Sequence, residues 1–304
     1  MKTLIPFRAP FGAALLALAA LTASAPALAT EGGGSVYPVG AENFVCCALP
    51  PPGVYGMVYG QSYSANKLLG NDGSVVTPST FKVNANALVP RVVWVTPYQI
   101  GGASLAFHAM VPIVNLDVRV APGMSQSKTG IGDIVFGTGL GWHLSEHLHT
   151  VVGVDFFAPT GDYNKDDLAN IGRNYWAVQP LAGISYIDPE GLNADLKLMW
   201  TINARNKDTQ YTSGQELIVD YALGWGLGKG WVLGVGGYLY QQITNDKSNG
   251  FTATDNKGRA MAIGPSIKYD SGKGWFLTLK YQKEFSVRNR TDGSAFWLKA
   301  VVPF

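Results

Sequence analysis

The chain has 304 residues, of which 47% are hydrophobic and only 14% are charged, with 37 glycines and a 12% share of aromatic residues. Soluble domains usually carry about 25% charged residues, so this composition excludes a disordered chain and argues against an ordinary soluble surface. Helical membrane proteins contain apolar runs of roughly 20 residues, and none follows the first thirty positions. The class that remains is a membrane β-barrel, in which alternation spreads the apolar residues along strands.

Residues 1–29 have the features of a cleaved secretory signal. Lys2 and Arg8 accompany an apolar run from Phe11 to Leu21, and residues 27–29 form an A-x-A cleavage site. An uncleaved anchor is the alternative, but the run is too short to span a bilayer. We expect the mature chain to begin near Thr30. It would be formally neutral, because the signal holds two of the 23 basic residues and none of the 21 acidic ones, so nothing indicates a nucleic-acid partner.

Residues 30–52 lack the alternation of a strand and are rich in glycine and proline. We expect this segment to lie in the periplasm or inside the barrel lumen. It contains the only two cysteines, Cys46 and Cys47. Neighbouring cysteines can join only through a strained ring and cannot close a long loop. The sequence therefore predicts two thiols rather than a disulfide framework.

Residues 53–304 divide into segments of roughly 10 to 15 residues in which apolar and polar side chains alternate. Leu196 and Leu198, for example, alternate with Asp195 and Lys197, which gives a strand with one apolar and one polar face. Short turns at 99–102, 144–146, 188–191, 228–230 and 270–274 alternate with longer connections at 66–79, 121–130, 158–173, 206–214, 244–258 and 288–294. This rhythm predicts an all-β fold, a closed antiparallel up-and-down transmembrane β-barrel of about 12 strands in the outer membrane.

Aromatic residues mark the short-turn ends of the predicted strands and share the parity of the apolar faces. They form a predicted membrane-interface girdle of Trp142, Tyr186, Trp225, Trp231, Tyr269 and Trp275. The last segment alternates through Phe296 and Leu298 to the final Phe304. That ending resembles the C-terminal signature read by outer-membrane assembly machinery, so Phe304 is the predicted assembly signal. Pairing of this strand with residues 53–65 would close the barrel.

The opposite parity identifies side chains that should face the lumen. The predicted channel-lining residues are His108, Asp133, Asp155, Gln179, Asp195, Lys197, Asp220, Tyr238, Lys268, Lys280, Glu284 and Lys299. Because both charge signs occur, this lining suits small polar or amphipathic solutes better than strongly anionic ones. The alternative is that these charges pair across a narrow interior and fill it.

Searches for catalytic or metal chemistry give weak candidates. His143, His147 and His149 surround one short turn, and a metal site is conceivable there. With Glu146 as the one carboxylate of that turn and no cysteine nearby, we expect polar rim residues, no metal and no cofactor. Residues 248–250 (SNG) resemble part of the motif of outer-membrane lipases, but no histidine precedes them, and a nucleophile needs a base within reach. We expect no enzyme activity.

Four stretches carry a family resemblance: ALPPPGVYG at 48–56, IGDI at 131–134, APTGDY at 158–163 and NIGRNYW at 170–176. In this order they resemble the outer-membrane family associated with the phenol meta-degradation pathway. The resemblance implies a channel that assists uptake of small hydrophobic or aromatic compounds by diffusion through the barrel or a side opening in Gram-negative bacteria. Its implied partners are outer-membrane lipid, the solutes and the assembly machinery, and we expect a monomer. The alternatives are a structural or surface-interaction barrel without transport, or a lipid-modifying enzyme.

Overall fold

The computed structural model describes residues 30–303. The predicted signal peptide, residues 1–29, and the predicted assembly signal Phe304 lie outside the described residues. Within them the chain forms one 3₁₀ turn, Glu31–Gly33, and otherwise strands and connections. No helix in this part of the chain is long and apolar enough to cross a membrane.

The strands follow one another with mostly short connections. They are β1 (Gly53–Leu68), β2 (Lys82–Ile100), β3 (Ala103–Met110), β4 (Ile113–Ala121), β5 (Met124–Ile131), β6 (Ile134–His143), β7 (Leu148–Ala158), β8 (Ala177–Ile187), β9 (Leu192–Asn203), β10 (Arg205–Asn206), β11 (Tyr211–Thr212), β12 (Glu216–Gly226), β13 (Trp231–Gln242), β14 (Lys247–Ser248), β15 (Phe251–Thr252), β16 (Arg259–Asp270), β17 (Phe276–Arg288) and β18 (Thr291–Pro303).

Twelve strand positions form a closed antiparallel ring in the order β1, β2, β3, β6, β7, β8, β9, β12, β13, β16, β17, β18 and back to β1. Closure comes from β18, which pairs with β1 from Tyr55↔Pro303 to Leu68↔Thr291. A closed ring leaves no strand edge to be satisfied by lipid, which cannot form hydrogen bonds. The predicted 12-stranded antiparallel barrel is confirmed.

Two neighbouring wall strands, β3 and β6, are interrupted. Beyond the interruption they continue past the barrel as the hairpin formed by β4 and β5. β3 and β4 both pair with β2. The second half of β2 pairs with β3, and the first half of β2 pairs with β4. Pro112 lies at the break and has no N–H for the ladder. The sequence pattern predicted a loop at 121–130, and this boundary is wrong, because Met124–Ile131 forms β5. β4 alternates between apolar and polar side chains, but residues 125–130 of β5 are polar or small on both faces, so apolar alternation could not identify β5.

The two faces of the wall differ as alternation predicts. On β9, Leu196 is 47% exposed on the outside, whereas Lys197 is 6% exposed on the inside. Leu198 and Trp200 continue the outer face, and Asp195 continues the inner one. An apolar outer band with polar side chains inside is the arrangement of a transmembrane barrel. At the long-loop end, β10, β11, β14 and β15 form a separate four-stranded sheet above the wall.

Candidate channel lumen

Residues 30–49, here called the lumenal segment, run inside the barrel from its long-loop end to its short-turn end. At the long-loop end, Glu31 accepts hydrogen bonds from Asn206 (2.9 Å) and Thr209 (2.5 Å) in the connection after β9. At the short-turn end, the Cys46 amide donates to Asp195 (2.9 Å) near the start of β9. The segment therefore crosses the whole length of the lumen before the chain enters β1.

The middle of the lumenal segment places one carboxylate among three cations. The Glu42 carboxylate lies 3.4 Å from Lys197 Nζ and 3.3 Å from Lys299 Nζ. Arg91 Nη1 lies 3.7 Å from the same carboxylate, and the Tyr59 hydroxyl donates to it at 3.3 Å. Because a buried charge is costly unless it is paired, this arrangement fixes Glu42 to β2, β9 and β18 together.

Next to Glu42, two wall side chains bind the segment's backbone. Asp220 accepts hydrogen bonds from the Tyr37 hydroxyl (2.6 Å) and from the amides of Gly40 (2.9 Å) and Glu42 (3.0 Å). Lys280 Nζ donates to the carbonyls of Gly40 and Glu42, each at 2.6 Å. Buried backbone groups need such partners, so charges on β12 and β17 take the place that a neighbouring strand would have.

At the long-loop end, the buried carboxylate of Asp246 collects neutral donors. It is 0% exposed and forms no ion pair with a Lys or Arg side chain among residues 30–303. Its donors are the amides of Thr30 (3.0 Å) and Gly214 (2.6 Å), the side chains of Gln242 (2.6 Å) and Asn256 (2.8 Å), and the Tyr211 hydroxyl. Burial raises the pKa of Asp246, because these donors offset only part of the lost hydration.

Cys46 and Cys47 are joined by a disulfide, whereas the sequence predicted two thiols. The residue before them, Val45, has a φ of 60°, which bends the backbone sharply just ahead of the pair. Strand periodicity gives no information about such a bend. The Cys47 amide donates to Ser185 Oγ at 3.0 Å, so the disulfide lies against the inner face of β8.

Glycines in the wall make room for the lumenal segment. A Cβ atom added at Gly224 would lie 2.7 Å from the Phe44 ring, and one at Gly141 would lie 2.6 Å from the Leu49 side chain. Both distances are shorter than ordinary carbon contacts. The close approach of the segment to β6 and β12 therefore depends on the missing side chains.

Six of the predicted lining residues lie at the lumenal segment or beside it. Asp195, Lys197, Asp220, Lys280 and Lys299 contact it as described above. Tyr238 is fully buried next to Gly40, and its hydroxyl donates to Glu284. The structure thus brings together charges that the sequence placed on four different strands, β9, β12, β17 and β18.

The other predicted lining residues find partners in the wall or its loops. His108 and Asp155 lie 2.8 Å apart on β3 and β7, and Gln179 donates to Thr201 at 2.7 Å. Asp133 accepts from the amides of Gly161 (2.9 Å) and Arg173 (2.8 Å). Lys268 lies 3.9 Å from Asp270, and Glu284 also accepts from the Gly293 amide at 2.6 Å.

The six predicted girdle residues all lie at strand ends beside short turns. Trp225, Trp231 and Trp275 are exposed, and Trp142 donates from its indole to the Gly101 carbonyl at 3.0 Å. Tyr269 packs between two of them, with its ring centroid 4.7 Å from that of Trp231 and 5.6 Å from that of Trp275. Tyr186 packs against His147 at 5.7 Å.

A family profile described as "Putative MetA-pathway of phenol degradation" matches residues 65–300. The chain belongs to this family. The resemblance found in the sequence is thereby confirmed. No relative was found among curated protein sequences.

Among solved structures, this family member is similar to an outer membrane channel from Pseudomonas putida F1, with 22% identity over 85% of this chain and 97% of that one and a TM-score of 0.76. It is also similar to the transport unit of the autotransporter AIDA-I from Escherichia coli, with 12% identity over 83% of this chain and 90% of that one and a TM-score of 0.52. These likenesses show the fold. The first is described as an outer membrane channel and the second as a transport unit.

The three histidines at the short-turn rim separate into a pair and a single residue. His143 Nδ1 and His149 Nδ1 lie 2.7 Å apart, whereas His147 Nδ1 lies 2.8 Å from the Ile187 carbonyl. No group of three or more metal-ligating side chains occurs within residues 30–303.

Sequence reasoning missed four residues that hold the lumenal segment in this family member: Glu31, Glu42, Arg91 and Asp246. A signal for the first two was present, because they are the only charged residues between positions 30 and 52. Arg91 has the inward parity of Val93 and Val95, which are both buried. Asp246 lies in a long connection without periodicity, so no pattern identifies it.

Proposed function

We propose that this protein is an outer-membrane channel through which small hydrophobic or aromatic compounds diffuse, and that the lumenal segment limits their passage. The observation that carries the proposal is the content of the barrel. A closed 12-stranded wall surrounds a segment whose middle is held by the side chains of Glu42, Asp220 and Lys280. Such contacts can open without breaking the strand ladder.

The interior combines aromatic rings with charges. Tyr59, Tyr238, Tyr240 and Trp297 are buried inside the wall, and Tyr37 projects from the lumenal segment. Aromatic faces and edges attract other aromatic rings beyond simple burial. This composition, together with membership in a family named for phenol degradation, supports small aromatic solutes rather than sugars or phosphorylated compounds.

The apolar outer band and the girdle support a location in the outer membrane of a Gram-negative bacterium. In this proposal the first 29 residues are removed on export and the barrel assembles as a monomer with Phe304 as its assembly signal. The channel-lining residues act by binding the lumenal segment and solutes, with no catalytic role. Barrels of this kind migrate differently on gels before and after boiling, and a soluble fractionation without that shift would contradict the location.

Uptake by whole cells tests the function. A strain without this protein should take up radiolabelled toluene at micromolar concentration several-fold more slowly than the same strain carrying the wild-type gene. A variant with His143 and His149 both replaced by Gln is the matched control for an enzyme role, and we expect it to restore uptake fully. Unchanged uptake in the deletion strain would contradict transport and favour a structural barrel, whereas a lipid-modifying activity that the wild type shows and the histidine variant lacks would support the enzyme alternative.

A further inference from the structure

A concave notch lies on the outside of the barrel at its long-loop end. Its volume is about 610 Å³, and its polar lining includes Ser64, Asn66, Thr80, Lys82, Arg119 and Lys283. These side chains come from β1, β2, β4 and β17 and the connection before β2. The notch is therefore built by strands that are far apart in the sequence but adjacent on the barrel surface.

The notch contains two cations without a counter-charge. Lys82 and Arg119 are direct cross-strand partners on β2 and β4, and both are exposed. Neither forms an ion pair within the part of the chain that the structure describes. The third cation, Lys283, is paired with Asp292 at 3.0 Å. Like charges directly opposite on a sheet destabilise it, so this pair would be stabilised by an anion from outside the protein.

The position of Lys283 places the β17 side of the notch at the level of lipid headgroups. Tyr281, 45% exposed on the apolar outer face, lines the base of the notch. Lys283 of β17 lies eight positions after Trp275 of the short-turn girdle, which corresponds to about 27 Å along an extended chain. With the usual strand tilt of roughly 40°, this is about 20 Å across the membrane, close to the far edge of an apolar band of about 25 Å.

We propose that the notch binds a phosphate group carried by the headgroup of an outer-leaflet lipid. The guanidinium of Arg119 can donate two parallel hydrogen bonds to phosphate oxygens, and Lys82 supplies a second positive charge. Thr80 adds a hydroxyl donor at the rim. The inference rests on the proposed membrane location, but it does not depend on whether the barrel conducts solutes.

Native mass spectrometry of the detergent-solubilised full barrel tests the site. The probes are bisphosphorylated lipid A, the same lipid after dephosphorylation, and inorganic phosphate as a competitor. The test variant is K82Q/R119Q, and the matched control is K229Q/K273Q, which removes two exposed lysines from short turns. We expect wild type and control to retain lipid A, and the test variant to bind it at least about tenfold more weakly, since each surface cation contributes on the order of 1 kcal/mol to anionic lipid.

Three outcomes would overturn the proposal. These are equal retention of lipid A by wild type and K82Q/R119Q, equal retention of the dephosphorylated lipid, and complete displacement by low millimolar inorganic phosphate, which would indicate a site for free anions. The gel shift on boiling shows that each variant is folded. Conductance of the same preparations is recorded separately, so failure of the lipid site and failure of the channel proposal are distinguishable.

Discussion

The middle and the long-loop end of the lumenal segment are held by different chemistry. Glu42 in the middle faces three cations at 3.3 to 3.7 Å, whereas Asp246 at the end has neutral donors. Removing one partner of a buried charge network costs about 3–5 kcal/mol, but loss of one neutral hydrogen bond costs about 1–3 kcal/mol. The comparison indicates that Glu42 anchors the segment and that the long-loop end detaches first.

The largest effect is expected from Glu42→Gln. The amide keeps the volume but leaves Arg91, Lys197 and Lys299 without their shared carboxylate, at a cost of about 3–5 kcal/mol. We expect the segment to leave its position and single-channel conductance in planar bilayers to rise several-fold. Glu31→Gln is the comparison variant, because Glu31 interacts with neutral donors. Equal conductance in the two variants would remove the distinction between middle and end.

A smaller effect is expected where the segment meets the wall sterically. Gly141→Val would place atoms where Leu49 now lies, because even a Cβ there would be 2.6 Å from it. Overpacking of this kind costs roughly 1–3 kcal/mol, and we expect protease cleavage within residues 46–52 to become faster. Gly60→Val is the control, since a Cβ at Gly60 would be 3.7 Å from its nearest neighbour. Equal cleavage rates in both variants would show that Leu49 can move without consequence.

At the long-loop end, Asp246 should make docking depend on pH. Its pKa in the folded protein is raised by burial, so its contribution to stability is greatest below the pKa of the unfolded chain and is lost as the pH rises through the folded value. We expect the protection factors of residues 30–34, which are exchange rates corrected for the intrinsic pH dependence of amide exchange, to be larger at pH 4 than at pH 7. Asp246→Asn should weaken this dependence, and an unchanged pH dependence in the variant would assign it to another group.

The smallest effect is expected outside the lumen. Lys128 on β5 pairs with Asp162 at 2.9 Å and Asp167 at 2.7 Å on the surface. Exposed ion pairs contribute about 0–1 kcal/mol, so Lys128→Gln should leave conductance unchanged and alter the unfolding temperature on gels by only a few degrees. A change in conductance would mean that the ion pairs of Lys128 with Asp162 and Asp167 affect the lumen.

The wall could be predicted from the sequence because its strands and turns depend on residues that are close together along the chain. Alternation on β9 separates Leu196 from Lys197, and glycine-rich turns such as 228–230 mark the hairpins. β5 was not predicted, since its residues 125–130 are polar or small on both faces and show no apolar alternation. Alternation indicated that Lys197, Asp220 and Lys280 point into the barrel. It could not indicate that all three bind the lumenal segment.

The path of residues 30–49 could not be predicted, because it depends on contacts between positions far apart in the sequence. Glu42 meets Lys299, and Thr30 meets Asp246, without any local pattern. The disulfide between Cys46 and Cys47 was not predicted either, and no periodic pattern indicates the positive φ of Val45 that precedes it. Only the isolation of Glu31 and Glu42 as charges in a neutral segment pointed to a binding role.

Single-channel recording of a variant lacking residues 31–47 is the most direct test of the central claim, that the lumenal segment limits passage through the barrel. Wild type and variant are compared in the same planar bilayers after the gel shift has shown that both are folded. The account predicts a several-fold larger conductance for the variant. Equal conductance in the two proteins would contradict it.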